Sequence, residues 1–194
     1  TVNDYVDVAL TGNFFTRGSW GTKLKSNYKA RYRYGGNLSL EYNVLQNGLR
    51  ELPTSFQDRS FFVRWDHRQD QKAKPNSQFS ASVSAGSRNN FANNFVSANQ
   101  DYLTNTFKSS INYNKTFANT PFRMSLSASH DQNSLDTTQV FNIVLPQVAL
   151  TMSRVNPFRN STKKWIKDIG LSYTGNFKNR FQTTETALRK GIIY

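Results

Sequence analysis

The sequence contains no cysteine among its 194 residues. That absence excludes a disulfide framework, a thiolate metal site and a cysteine nucleophile. Long apolar runs are missing too, since no stretch approaches the 18 consecutive apolar residues of a membrane-spanning helix. A membrane-spanning β-strand is not excluded, because it needs only about 9–11 residues, of which half are apolar.

Acidic residues are scarce: 12 Asp and Glu stand against 25 Lys and Arg, and the net charge is +13. This excess indicates an anionic partner such as nucleic acid, lipid head groups or lipopolysaccharide, or else cations that solvate a water-filled surface. An aromatic content of 14% argues against a disordered chain. Residues 1–15 lack the basic and apolar regions of a signal peptide, so we expect either a protein that is not exported or a mature or partial chain.

Between positions 23 and 34, cationic and apolar residues alternate with a period of two. A helix would scatter both kinds around its surface, whereas a strand points successive side chains to opposite faces. The alternation therefore predicts a strand with one cationic face and one apolar face. The cationic positions are Lys23, Lys25, Lys29, Arg31 and Arg33.

Similar alternation recurs along the chain and predicts about nine strands and no helix. Turns at 17–19 and 35–37 would pair Asp7 with Lys29 and Arg31 with Glu41, as in a meander of antiparallel hairpins. Around Pro146 the apolar positions change parity. Because proline cannot donate to a β-ladder, this change predicts a bulge or an edge position.

The polar positions of these strands are mostly Ser, Asn and Thr, and the apolar positions are rich in Tyr and Phe. A soluble sandwich usually has Val-, Ile- and Leu-rich core strands and more charge outside. Connections that alternate in length are typical of outer-membrane barrels. We therefore predict an all-β fold, a transmembrane antiparallel β-barrel with up-and-down topology. Nine is an odd number, so residues 1–194 are expected to form a segment of a larger barrel.

Catalytic and metal-binding motifs are not found in the sequence. His67 and His130 have no neighbouring cluster of ligands with metal-binding spacing, and there is no phosphate-binding loop, nucleophile elbow or credible catalytic triad. We expect a protein that is not an enzyme, with no cofactor and no metal.

Several segments, taken in order, resemble the barrel of the LptD family of lipopolysaccharide-assembly outer-membrane proteins, also called the organic solvent tolerance family, in its Bacteroidetes-type form. The first is DYVDVALTGNFFTRGSWGTKLKSNYKARYRYGGNLSLEYN at 4–43, and the second is WDHRQDQKAKPNSQFSASVSAGS at 65–87. The likeness continues through RMSLSASHDQN at 123–133, LPQVALTMSRVNPF at 145–158 and IGLSYTGNFKN at 169–179. No segment resembles the family's periplasmic jelly-roll domain.

The resemblance implies a protein of the bacterial outer membrane that inserts lipopolysaccharide or a related glycolipid into the outer leaflet. Its implied partners are outer-membrane lipids, a plug lipoprotein similar to LptE and periplasmic bridge proteins. The cationic stripe of Lys23, Lys25, Lys29, Arg31 and Arg33 would then either attract lipid phosphates in the lumen, or balance Asp7 and Glu41 or contact the plug. Pro146 would either weaken strand pairing near a gate or form an ordinary bulge at the barrel rim.

Two alternatives remain open. One is another outer-membrane barrel, such as a porin or nutrient receptor. The other is a soluble, basic, β-rich nucleic-acid-binding protein. Strand alternation argues against the latter, because it places Tyr28, Tyr32 and Tyr34 on the face opposite the cations.

Overall fold

The computed structural model describes residues 4–48, 53–87, 106–133, 140–160 and 162–184. These residues form nine strands and one helix of a single turn. In chain order they are β1 (Val6–Phe14), β2 (Trp20–Ala30), β3 (Tyr34–Asn47), β4 (Phe56–Gln69), β5 (Ser77–Gly86), β6 (Thr106–Thr116), β7 (Phe122–Asn133), β8 (Val140–Val155), α1 (Lys164–Lys167) and β9 (Leu171–Thr184).

All nine strands lie in one sheet, in the order in which they occur along the chain, and every neighbouring pair is antiparallel. The predicted all-β meander is confirmed. Over the described ranges the sheet is open, with β1 and β9 at its edges, as in part of a barrel wall. The one helix found in these ranges is not long and apolar enough to cross a membrane.

The period-two pattern sorts side chains between the two faces of the sheet. Leu24 pairs with Leu10 on one side and with Leu40 on the other, whereas the next residue, Lys25, pairs with Ala9 and Ser39. Rows of like residues therefore cross the strands. An apolar row contains Leu10, Leu24, Leu40, Val63 and Ala85. A polar row contains Arg68, Ser80, Asn112, Ser127, Gln147 and Lys178.

The apolar face is not a protein core. Among the described residues, the buried apolar side chains are only Val44, Ala81, Phe107 and Val144. Leu10, at the β1 end of the apolar row, is 74% exposed, and Leu40 in the middle of the row is 36% exposed. A soluble sandwich buries this face under a second sheet, and the described residues form a single layer. Leu24 and Tyr28 therefore do not lie beneath a second layer of this structure.

The first two hairpins differ from the predicted registers. In the hairpin of β2 and β3, Ala30 pairs with Tyr34, so the turn is 31–33 and not 35–37. The turn closes through a hydrogen bond from the Arg33 N–H to the Ala30 carbonyl oxygen, and Tyr32 has a positive φ of 60°. Glu41 consequently pairs with Lys23 and not with Arg31.

The glycines of the GGN segment, Gly35 and Gly36, lie within strand β3 and not in the predicted turn. Gly36 lies within β3, and a Cβ atom there would collide with the ring and hydroxyl of Tyr28 and with the Asp66 carbonyl. Glycine is needed at this position because the Tyr28 ring lies over the backbone.

In the first hairpin, Phe14 pairs with Trp20 and Asp7 with Asn27, two residues away from the predicted register.

Strand β8 contains the predicted break at Pro146. Register shifts lie between Val144 and Gln147, where two residues of β8 stand opposite one residue of β9. Asn179 at this point donates a hydrogen bond to the Leu145 carbonyl oxygen at 3.2 Å. The bulge accounts for the change of parity. A second shift, between Met152 and Val155, was not predicted.

The connections divide between the two ends of the sheet. One end, called here the basic end, carries 31–33, 70–76, 117–121 and 156–170, and the other carries 15–19, 48–55, 87–105 and 134–139. The expected segregation of short and long connections is incomplete, because 156–170 is longer than 15–19 and contains α1. Connection length therefore does not orient this sheet in a membrane.

Candidate functional site: the polar face and the basic end

The predicted cationic stripe divides into three parts with different surroundings. Lys23 lies on β2, where its Nζ is 3.1 Å from Glu41 Oε2. Glu41 is only 6% exposed, and its other carboxylate oxygen accepts a hydrogen bond from Asn43 Nδ2 at 3.1 Å. The positive charge of Lys23 is thus compensated within the sheet, which leaves the remaining cations as the candidates for a ligand.

Lys25 and Lys29 point from the same face of β2, and both are exposed. Lys25 pairs with Ala9 and Ser39, and Lys29 pairs with Gly35. None of these directly paired residues carries a charge, and Asp7 on β1 lies on the same face opposite Asn27, between the two lysines. These two lysines therefore remain as charged groups on the polar face.

Arg31 and Arg33 do not continue the strand, because they lie in the turn between β2 and β3. The Tyr32 ring between them has two cations nearby: the Arg31 Cζ atom lies 6.0 Å from the ring centroid, and the Lys72 Nζ atom lies 5.4 Å from it. The contact between Lys72 and Tyr32 links the 31–33 turn to the 70–76 connection.

A cleft of about 730 Å³, called here the rim cleft, opens beside this turn. Sequence reasoning identified some of its residues but missed Arg68, whose position on β4 follows the same alternation as the polar residues before it. The side chains that contribute charged or amide groups to the cleft are Lys29, Arg31, Arg68, Gln69, Asp70, Gln71 and Gln78. With one acidic and three basic side chains, the cleft suits an anion.

A groove of about 550 Å³ continues from this region across the polar face. Hollows on this face are expected if the sheet curves with its polar side inward, as a barrel wall does. The Ser82 hydroxyl donates to Asp66 Oδ1 at 2.7 Å, so the acidic group there is already bonded. The other polar-face side chains lining the groove are mostly neutral: Asn37, Ser80, Ser110, Asn112 and Asn114.

Charge is distributed unevenly between the two ends. In the connections that the structure describes, the basic end has eight cationic and two acidic residues, whereas the opposite end has one cationic residue. Those of the basic end are Arg31, Arg33, Lys72, Lys74, Arg159, Lys163, Lys164 and Lys167, against Asp70 and Asp168. The described cation of the opposite end is Arg17. An anion approaching the sheet is therefore attracted mainly to one end.

The apolar face carries an aromatic cluster near the basic end. The Tyr28 hydroxyl accepts a hydrogen bond from Trp65 Nε1 at 2.9 Å and lies 2.8 Å from His67 Nδ1. The His67 ring centroid is within 5.5–5.8 Å of the Tyr28, Tyr34, Trp65 and Phe79 rings. His67 is thus a member of an aromatic cluster, and sequence reasoning did not predict this network.

A second aromatic level lies toward the opposite end, where the Trp20 and Tyr42 ring centroids are 5.6 Å apart. From Trp20 to Tyr28 the chain of β2 rises about 27 Å, which a strand tilted by about 40° reduces to roughly 20 Å. The row of Leu10, Leu24 and Leu40 lies between the two levels. Two aromatic girdles flanking an apolar band about 25 Å tall are the pattern of a membrane-spanning barrel.

Comparison with known protein families decides among the barrel types. A family model described as LptD protein matches residues 1–192. The chain belongs to the LptD family. No curated protein and no solved structure gives a significant match.

Membership of the LptD family identifies an outer-membrane β-barrel protein of lipopolysaccharide transport, and the family functions in transport rather than in catalysis. The family model supports neither the porin or nutrient-receptor alternative nor the nucleic-acid-binding one. Outer-membrane barrels turn an apolar face to lipid and a polar face to the lumen. Leu24 and Tyr28 lie on the apolar face of this sheet, and Lys25 and Lys29 lie on its polar face. Within the described part of the chain, no group of three or more His, Asp or Glu side chains is placed to hold a metal ion.

Proposed function

We propose that this chain forms part of the wall of an outer-membrane translocon that inserts lipopolysaccharide or a related glycolipid into the outer leaflet. The observation that carries the proposal is the combination of a single-layered sheet, whose apolar face is left exposed, with family membership over residues 1–192. An apolar surface this extensive is rare on soluble monomers and indicates contact with lipid or another apolar partner.

The edges of the sheet support a larger barrel. Within the described ranges, β1 and β9 each have one neighbouring strand. In hydrocarbon each unpaired backbone group costs several kcal/mol, so open edges are not stable there. We therefore expect further strands to pair with both edges, and we place the plug lipoprotein and periplasmic bridge proteins among the partners of the complete assembly.

The polar face and the rim cleft are the proposed path for the glycolipid head group. Lys29, Arg31 and Arg68 line the rim cleft at one end of this path, with Arg33 in the adjoining turn. Lys25 lies farther along the polar face, and the groove beyond the cleft is lined mostly by neutral Ser and Asn side chains. Cations at the entrance favour phosphate through charge-assisted hydrogen bonds. A mostly neutral wall beyond them lets the head group move on, because binding that is too strong would retain it.

The bulge at Pro146 is a proposed weak point of the wall. It interrupts pairing with both β7 and β9. Its use as a gate stays a prediction, since β8 lies inside the sheet with a hydrogen-bonded neighbour on each side.

The test is charge reversal with the full-length protein expressed in cells that depend on it. Lys25→Glu combined with Arg33→Glu is expected to reduce surface lipopolysaccharide severalfold at normal barrel levels, because phosphate would meet repulsion at the entrance. Arg17→Glu, an exposed charge at the opposite end, is the matched control and should have no effect. Unchanged surface lipopolysaccharide with normal amounts of folded double variant would contradict the proposed path.

A further inference from the structure

The connection between β8 and β9, residues 156–170, combines cationic and exposed aromatic side chains. Trp165 is 68% exposed and Phe158 is 49% exposed. In the same segment there are four cationic residues and one acidic residue: Arg159, Lys163, Lys164 and Lys167, with Asp168. We propose that this segment, called here the β8–β9 anchor, binds the anionic head-group layer of the membrane and inserts Trp165 into it.

The segment is held in place and does not extend freely into solvent. The Arg154 guanidinium donates to the Asp168 carbonyl oxygen at 3.1 Å, and Gly170 leaves the space that the Arg154 side chain fills. Backbone hydrogen bonds from Ile166 and Lys167 to the Lys163 carbonyl oxygen close the single turn of α1. Trp165 is therefore exposed because the fold presents it, at a fixed position relative to β8.

The anchor continues the apolar face of the sheet. The second bulge of β8 places Val155 opposite Leu171, and this is the next pair along the strands after Met152 and Tyr173. Val155, Leu171 and Tyr173 are all exposed. The lipid-facing surface of β8 and β9 thus leads directly to the segment that contains Trp165, at the end where a hydrocarbon layer would give way to head groups.

The chemistry of the segment matches that boundary. Tryptophan is enriched at membrane interfaces, because its ring is apolar and its N–H can be hydrated. Lysines beside it keep their ammonium groups in water and attract anionic lipids. Lys72 and Lys74 also lie in a connection at the basic end, but the 70–76 connection has no aromatic residue, which makes it a natural comparison.

The inference rests on the proposed membrane location and adds a lipid-binding element outside the glycolipid path. The test uses the full-length protein carrying Trp20→Phe and Trp65→Phe, so that Trp165 is the one indole in these 194 residues. The protein is reconstituted in phosphatidylcholine vesicles or in vesicles that also contain one quarter phosphatidylglycerol. Fluorescence quenching by nitroxides at the head group and deep in the acyl chain is then measured for each.

We expect quenching by the head-group nitroxide to be at least twice that by the deep nitroxide, and to be stronger with phosphatidylglycerol. Lys164→Gln with Lys167→Gln should lower the preference for phosphatidylglycerol by up to about fivefold per lysine. Lys72→Gln with Lys74→Gln should leave the Trp165 signal unchanged.

The proposal is overturned if aqueous iodide quenches Trp165 as fully in both kinds of vesicle as it quenches a free tryptophan analogue. It is also overturned if the two lipid compositions give the same result, because anionic recognition would then be absent. Either failure would leave the lipopolysaccharide phenotype of the Lys25 and Arg33 variants unaffected, so the two proposals are judged separately.

Discussion

Replacing Ile111 with arginine tests whether the apolar face contacts hydrocarbon or water. Ile111 lies at the middle of β6, pairs with Ala81 and Ala128, and is 37% exposed. Its neighbours are small, so a longer side chain meets no steric obstacle from them. On a surface in water, such a substitution changes the free energy of unfolding by no more than about 0.5 kcal/mol.

In a bilayer the same change places a guanidinium near the hydrocarbon midplane, which costs about 2–4 kcal/mol. That cost corresponds to a roughly 30- to 700-fold decrease in the folding equilibrium constant. The matched control is Ser110→Arg, the preceding residue on the polar face, which pairs with Ser82 and Ser129. There the arginine enters the aqueous side and should cost less than about 1 kcal/mol.

Both variants are folded into phosphatidylcholine vesicles as full-length protein, and the free energy of unfolding is measured by denaturant titration with tryptophan emission. Equal effects of Ile111→Arg and Ser110→Arg would refute the assignment of the two faces to hydrocarbon and water. A larger effect of Ser110→Arg would mean that the faces are reversed.

Two further substitutions test packing within the sheet by the same titration. Gly36→Ala should destabilise the protein by about 1–3 kcal/mol, because the added methyl group overlaps the Tyr28 ring; Gly35→Ala, where the nearest atoms are 3.7 Å away, is its control, and equal losses would contradict the proposed close approach. Glu41→Gln should be destabilising because it leaves Lys23 without its partner, and a double-mutant cycle with Lys23→Met should give a coupling energy of about 1–3 kcal/mol. No measurable coupling would show that the ion pair adds nothing to stability.

The strands and their faces could be predicted from the sequence, because a period of two has one physical meaning in an antiparallel sheet. The bulge at Pro146 was predicted from the change of parity of the apolar residues around it, because a bulge moves the following side chains to alternate positions. Lys25 and Lys29 were placed correctly on the polar face by this argument alone. Their role in binding remains a prediction.

Turn positions could not be predicted, since they depend on contacts between distant residues. GGN at 35–37 has the composition of a turn, but Gly36 is needed under Tyr28, whose hydroxyl is 39 residues away in sequence from His67, its hydrogen-bond partner. The turn instead contains Tyr32 at a positive φ, which side-chain propensity disfavours. Because of this error in register, Glu41 was predicted to pair with Arg31, and its ion pair with Lys23 was not predicted.

The scarcity of buried apolar residues has a consequence for how the protein acquires its structure. In water, folding stabilises this sheet little, because its apolar side chains remain in contact with solvent after every strand has paired. In a bilayer the same side chains leave water as the strands join, and this transfer stabilises the folded sheet. Folding and insertion should therefore be a single event, and a chain waiting in the periplasm would require a chaperone to cover its leucine rows.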